Sequence, residues 1–130
     1  MKKIIIFLLF ISWFSSGAQT VEEKIREVYA DKTQELVTNV PEKLKMLTNL
    51  VQERIKVALI PLDPNDKYPK LSNVPLLNLY NPAMKRDDVF HPETFNPLKY
   101  DFVLTSENTM IYRVDYTDYV IIISPKPVKP

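Results

Sequence analysis

The N-terminal half of the chain carries apolar residues at helical spacing. Thr20, followed three residues later by Glu23, forms a capping box, which marks the start of a helix. The apolar positions beyond it recur at helical spacing, and they are Val21, Ile25, Val28, Tyr29, Leu36 and Val40. This period predicts an amphipathic helix over residues 21–38.

A second helix is predicted directly after the first. Asn39 tolerates the left-handed conformation that ends many helices, and Pro41 suits the first turn of a new one. We expect the second helix to cover residues 41–58, and the short connection makes the two helices an antiparallel hairpin. Its apolar stripe consists of Leu44, Leu47, Val51, Ile55 and Ala58, with Met46 and Leu50 at the margins.

Residues 100–124 alternate apolar and polar positions with the period of two that is typical of strands. Short polar breaks divide the stretch into three parts, which predicts a three-stranded antiparallel meander. Pairing Tyr116 with Tyr119 across the second turn aligns the apolar positions of the last two strands. In that register Val114 lies opposite Ile121.

The first hairpin of the predicted meander needs an odd loop if its apolar faces are to match. A loop over residues 107–109 pairs Leu104 with Tyr112 and places Asn108 or a neighbour at positive φ. We expect the two helices to cover the apolar face that results. Its residues are Tyr100, Phe102, Leu104, Tyr112, Val114, Tyr116, Tyr119, Ile121 and Ile123.

The segment over residues 61–99 has a different character, because seven of the eleven prolines fall in it. It also contains too many large apolar residues to remain disordered. We therefore expect an ordered, mostly irregular arm that wraps over the domain, with one short strand at residues 76–80. The continuously apolar residues 120–123 predict a strand inside the sheet, with residues 76–80 as its outer neighbour.

The other face of the predicted meander is mixed in character. Ile111, Arg113, Val120 and Ile122 project from it, and this set is too apolar for free solvent and too charged for a deep core. Two covers remain open. Either the arm crosses this face, or a partner protein binds to these four residues.

The first 18 residues have the order of a secretory signal peptide. Lys2 and Lys3 precede an apolar run over residues 4–14, and small residues follow as far as Ala18. The run is shorter than the roughly 20 apolar residues that a membrane-spanning helix needs. We expect cleavage after Ala18, export to the periplasm or the extracellular space, and no membrane insertion afterwards.

The remaining residues 19–130 are expected to form one α+β domain. An N-terminal helical hairpin packs on a three- to four-stranded meander, the arm lies between them, and residues 125–130 form a proline-rich tail. The chain has no cysteine, and its only glycine is Gly17. Turns that require a positive φ should therefore use Asn or Asp. The candidates are Asn39, Asn65, Asn73, Asn81, Asn96, Asn108 and Asp118.

Few chemistries fit this composition. Without cysteine there is no thiol nucleophile, and without glycine after residue 17 there is no glycine-rich phosphate loop. His91 is the sole histidine, and the strongest remaining candidate cluster lies around it. Asp87, Asp88, His91 and Glu93 offer three carboxylates and an imidazole for a metal ion or a general base. The spacing matches no established motif, so we expect no cofactor and no catalytic residue.

Three short stretches carry a resemblance to known proteins. They are residues 94–100 (TFNPLKY), 112–115 (YRVD) and 117–121 (TDYVI). Together they resemble the C-terminal part of small exported proteins found in Bacteroidota, a group without a known activity. The resemblance implies export from a Gram-negative cell and implies nothing about catalysis.

The sequence thus favours an exported, non-enzymatic protein that binds a protein partner in the cell envelope. A charge balance close to neutral, with no basic run, argues against nucleic acid as a partner. Two other functions remain open. One is a carrier with a cavity for a small apolar ligand between the helices and the meander, and the other is a small hydrolase or metal site around His91.

Overall fold

The computed structural model describes residues 20–126. The predicted signal peptide and the last four residues of the tail lie outside this range. The described part contains two α-helices and one three-stranded antiparallel sheet, so the α+β class is confirmed.

Helix α1, Val21–Tyr29, begins where the sequence predicts. The Thr20 hydroxyl accepts a hydrogen bond from the Glu23 amide at 3.1 Å, as expected for a capping box. The predicted helix over residues 21–38 is nevertheless interrupted, because Ala30 has a φ of 49°. A 3₁₀ turn at Ala30–Lys32 and a π-helical turn at Gln34–Thr38 continue the chain.

The cap at Thr20 gives a testable stability effect. Thr20→Ala removes the acceptor for the Glu23 amide, so the free energy of unfolding should fall by about 1 kcal/mol. Thr20→Asn restores an acceptor and should recover most of that loss. Thermal and urea denaturation of the two variants check the prediction, and equal losses in both would contradict it.

Helix α2, Pro41–Asn49, is shorter than predicted. A π-helical turn at Leu50–Arg54 ends it, and strand β1, Ile55–Leu59, follows at once. The prediction of a helix as far as residue 58 is therefore wrong. Residues 55–58 pair with another strand instead, so tertiary contacts outweigh their helical spacing.

The sheet has the strand order β1–β3–β2, where β2 is Met110–Arg113 and β3 is Tyr119–Ile123. The prediction that residues 120–123 lie inside the sheet is correct. The predicted outer neighbour is wrong, because β1 occupies that position. Residues 76–80 contribute only an isolated bridge between Leu76 and Tyr100, and residues 100–104 form no strand of the sheet.

The hairpin of β2 and β3 differs in register from the prediction by two residues. Tyr112 lies opposite Ile121, whereas the prediction placed Val114 there. Side chains alternate with a period of two, so this shift keeps the buried and exposed faces unchanged. The longer turn is held by Thr117, whose hydroxyl donates to the Val114 carbonyl at 2.8 Å and accepts from the Tyr119 amide.

Positive φ angles occur at residues that the composition did not predict. Among the described non-glycine residues only Ala30 and Tyr116 have them, and no Asn or Asp does. Tyr116 occupies the turn between β2 and β3, with a φ of 61° and an exposed fraction of 87%. Its predicted place in the core is therefore wrong.

One buried cluster contains residues from the helices, from the arm and from one face of the sheet. Six residues of the predicted inner face are buried, and Leu104 and Tyr119 are half-buried. The buried ones are Tyr100, Phe102, Tyr112, Val114, Ile121 and Ile123. The arm adds Phe95, whose ring lies 5.6 Å from that of Tyr100.

Candidate functional site

The mixed face of the sheet is largely covered. Of the four residues considered for a partner, Arg113 and Val120 are buried, with exposed fractions of 2% and 0%, while Ile111 and Ile122 are half-buried. The arm supplies the cover at Arg113. A partner on this face could contact only Ile111 and Ile122 of the original four.

Arg113 is held by side-chain and main-chain acceptors together. Its Nε lies 2.8 Å from Asp66 Oδ2, its Nη2 lies 3.2 Å from Asp66 Oδ1, and its Nη1 donates to the carbonyls of Ile60 and Thr117. The Arg113 hydrogen bond lowers the pKa of the Asp66 carboxyl below its ordinary value, and the same bond raises the pKa of Arg113. These hydrogen bonds connect the arm to β2 and to the β2–β3 turn.

The cluster predicted around the single histidine does not assemble. Asp88, His91 and Glu93 are exposed. In the described part of the chain, no three carboxylate or histidine side chains come together as metal ligands would. Only Asp87 of the four belongs to a defined polar network.

That network surrounds Lys99, whose side chain is 6% exposed. The Lys99 ammonium lies 2.9 Å from Asp87 Oδ1 and 4.0 Å from Glu27 Oε2. Asn96 donates to the Glu27 carboxylate at 2.9 Å, and burial raises the pKa of the Tyr100 phenol, whose hydroxyl lies 3.4 Å from Asp87 Oδ2. Because these polar groups pair with one another, we interpret the network as a structural connection between the arm and α1.

An apolar groove lies between α2, the arm and the segment before β2. Its volume is about 120 Å³, and its lining is mostly apolar. Leu47 and Leu50 form its floor, while Met46 and Leu77 stand at its rim with exposed fractions of 44% and 41%. Lys43 also lines the groove. We call this feature the apolar groove.

One further aromatic side chain, Tyr80, adjoins the groove. Tyr29, which lines the groove, stacks on Tyr80 with the ring centres 5.5 Å apart. Sequence reasoning missed this surface because three distant parts of the chain build it. The only local signal was the run of large apolar residues near Leu77 in a segment rich in proline.

A larger cleft of about 530 Å³ opens beneath the β2–β3 turn. Arg86, Asp115 and Tyr116 are among its lining residues. Two of its polar side chains bond within the protein: Arg86 donates to the carbonyls of Leu71 and Val74, and Asp115 accepts from Ser72. Asp88, which also lines the cleft, is exposed.

Comparison of the chain with protein-family models, with curated proteins and with solved structures gives no match. Across residues 20–126, none of the helices has the length and apolar character needed to cross a bilayer.

Proposed function

We propose that the chain is an exported, non-enzymatic protein that binds another protein of the cell envelope through the apolar groove. The observation that carries the proposal is the groove itself, a small apolar depression whose rim residues are large, apolar and exposed. Isolated exposed apolar residues are ordinary, but Met46 and Leu77 lie at the same apolar depression, and such clustering supports an interaction site.

The size of the groove indicates what it accepts. Pockets for drug-sized ligands measure about 300–1,000 Å³, whereas this groove measures about 120 Å³. An engineered apolar cavity of about 150 Å³ takes up benzene, so the groove has room for about one large apolar side chain. Single aromatic or aliphatic anchors in such depressions are typical of protein interfaces.

The rim adds two further features that suit a protein partner. Met46 is unbranched and flexible, so it adapts to the shape of an inserted side chain. The Lys43 ammonium lies 5.9 Å from the centre of the Tyr29 ring, at the side of the groove. We therefore expect the partner to carry an acidic residue close to its apolar anchor.

The two other functions have less support. A carrier requires a cavity of several hundred Å³ between the helices and the sheet, whereas the groove between α2, the arm and the segment before β2 measures about 120 Å³. A hydrolase around His91 requires a neighbour that orients the imidazole. The described hydrogen bonds of the Asp87 side chain are with Lys99 and Tyr100, so these bonds do not orient His91.

A photocrosslinking amino acid at position 77 tests the proposal in the cell that produces the protein. We expect one discrete adduct with an envelope protein, and a crosslinker at Glu35, which is exposed and does not line the groove, should not form it. With the crosslinker at position 46, Leu77→Asp should abolish the adduct because a carboxylate at the rim opposes an apolar anchor. Leu62→Asp is the matched control, since Leu62 is similarly exposed at 46% but lies outside the groove. An adduct that survives Leu77→Asp, or is absent from both groove positions, contradicts the proposal.

A further inference from the structure

The larger cleft, which opens beneath the β2–β3 turn, has the size and the lining of a site for a small molecule. Its volume of about 530 Å³ falls within the range of about 300–1,000 Å³ that is typical of such sites. Leu71, Tyr100 and Val114 are its buried lining residues, and the half-buried Phe90 adds a second aromatic ring. Of these four residues only Tyr100 also lines the apolar groove, so the two sites are distinct.

Tyr116 lines the cleft in a backbone conformation that its own side chain disfavours. A φ of 61° is a genuine outlier for a bulky residue, and with an exposed fraction of 87% the ring gains almost no burial in return. The Lys70 ammonium lies 5.9 Å from the ring centre, but Lys70 lines a neighbouring cleft instead of this one. Strained residues of this kind cluster at functional sites, which indicates that the Tyr116 ring serves a ligand.

Two carboxylates in the lining keep their charge unpaired. Asp87 forms an ion pair with Lys99 at 2.9 Å, but no ion pair within residues 20–126 includes Asp88 or Asp115. Asp88 is exposed, and Asp115 accepts hydrogen bonds from the amide and the hydroxyl of Ser72, which are neutral donors. Both aspartates line the cleft, so a positively charged group inside it is attracted by both.

Arg86 also lines the cleft, but its guanidinium is held by main-chain acceptors. It donates to the carbonyls of Leu71 and Val74 and lies 5.7 Å from the centre of the Tyr100 ring. Across the described residues it forms no ion pair. The guanidinium therefore leaves the two carboxylates unpaired, and its position over Tyr100 shows that the aromatic lining accommodates a cation.

We propose that this cleft binds an organic cation, an ammonium group on an apolar body. The carboxylates of Asp88 and Asp115 attract the ammonium, the Tyr116 ring contacts it through its π face, and the apolar body lies against Phe90 and Tyr100. A neutral ligand of the same shape lacks the charge that pairs with the carboxylates, and an anion is repelled by them. The inference goes beyond the protein binding proposed above and does not depend on it.

Three small molecules that share one apolar body test the charge preference. Phenethylamine is an ammonium at neutral pH, phenethyl alcohol is neutral, and phenylpropionate is an anion. In titrations of the purified protein followed by amide NMR, phenethylamine should bind about tenfold more tightly than the alcohol, because only the ammonium pairs with carboxylates and aromatic faces. It should shift the amide signals of Asp88 and Tyr116, and phenylpropionate should shift neither.

A fourth probe separates two sources of the same chemistry. Phenethylamine represents a free amine, whereas a lysine that is capped at its α-amine and carboxyl represents a basic side chain of a protein. The tighter of the two identifies the source of the cation, and binding of either supports the proposal.

Two substitutions assign the binding to the cleft. Asp88→Asn removes an exposed charge and should weaken the binding of phenethylamine about fivefold, while that of phenethyl alcohol stays unchanged. Asp101→Asn is the matched control, since Asp101 is also exposed but does not line the cleft. Tyr116→Asn should weaken phenethylamine similarly and yet raise the melting temperature, because asparagine tolerates a positive φ. A purely structural role for Tyr116 predicts a lower melting temperature and unchanged binding.

Four results would overturn the proposal. They are equal affinities for the three probes, no binding of either phenethylamine or the capped lysine, signal shifts away from Asp88 and Tyr116, and equal effects of Asp88→Asn and Asp101→Asn. Photocrosslinking at position 77 reports on the apolar groove, so failure of one proposal leaves the test of the other intact.

Discussion

Arg113→Met should lower the free energy of unfolding by about 3 kcal/mol. The guanidinium is almost fully buried and bonds to Asp66 and to two main-chain carbonyls. Methionine matches its length but donates no hydrogen bond, so the Asp66 carboxylate and the carbonyls of Ile60 and Thr117 lose their donor. Leaving such acceptors without partners costs about 1–3 kcal/mol for each neutral group and more for a charged one. Urea denaturation measures the loss.

Arg26→Met is the matched control. Arg26 also forms an ion pair at 2.8 Å, with Glu22, but both side chains are largely exposed, at 65% and 72%. Surface pairs of this kind contribute about 0–1 kcal/mol, so the control should cost well under half of the Arg113→Met loss. Equal losses in the two variants would mean that Arg113 is not held as described.

The pH dependence of the same variant has a defined sign. Because the hydrogen bond from Arg113 lowers the folded-state pKa of Asp66 below its ordinary value of 3.8, the contribution of the pair is complete above that pH. It is lost as the pH falls through the folded-state pKa. The stability gap between the unmodified protein and Arg113→Met should therefore narrow below about pH 3.8. A gap that stays constant would contradict the assignment of the shift to Arg113.

The buried faces of β2 and β3 were predictable from the sequence, but their register was not. The faces follow from the alternation of apolar residues, which a shift of two positions leaves unchanged. The register depends on the length of the turn. The Thr117 hydroxyl and the positive φ of Tyr116 set that length. Because positive φ angles were expected only at Asn and Asp, the sequence did not predict the conformation of Tyr116.

The polar contacts that hold the arm could not be predicted from the sequence. Lys99 pairs with Asp87 and approaches Glu27, which is far from it in the chain. When such partners are unknown, a charged residue in a proline-rich segment is expected to be exposed to solvent. The apolar groove could not be predicted either, because α2, the arm and the segment before β2 each contribute only part of its lining.

Strand β1 was missed because its five residues satisfy two periods at once. Ile55, Val57 and Leu59 alternate as in a strand, while Ile55 also continues the apolar stripe of the preceding helix. Over so short a stretch the two patterns cannot be separated. Pairing with the apolar strand β3 resolves the ambiguity in favour of the strand.

Leu50→Ala should lower the free energy of unfolding by about 3 kcal/mol, because Leu50 is 1% exposed and its truncation leaves a cavity in the core. A continuous helix over residues 41–58 would place Leu50 at the margin of the apolar stripe and Leu44 within it. The π-helical turn that begins at Leu50 brings this side chain into the core, while Leu44 is 37% exposed. The two structures therefore predict opposite orders of the two losses.

Leu44→Ala is the control that separates them. The substitution is the same, the site lies less than two turns away, and the expected loss is below about 1 kcal/mol because Leu44 buries only part of its side chain. Urea denaturation of both variants, with unchanged slopes, gives the comparison. If Leu44→Ala cost as much as Leu50→Ala, the helix would continue through residue 50 and strand β1 would not begin at Ile55. The order of these two losses therefore tests where the helix ends and whether a strand follows it.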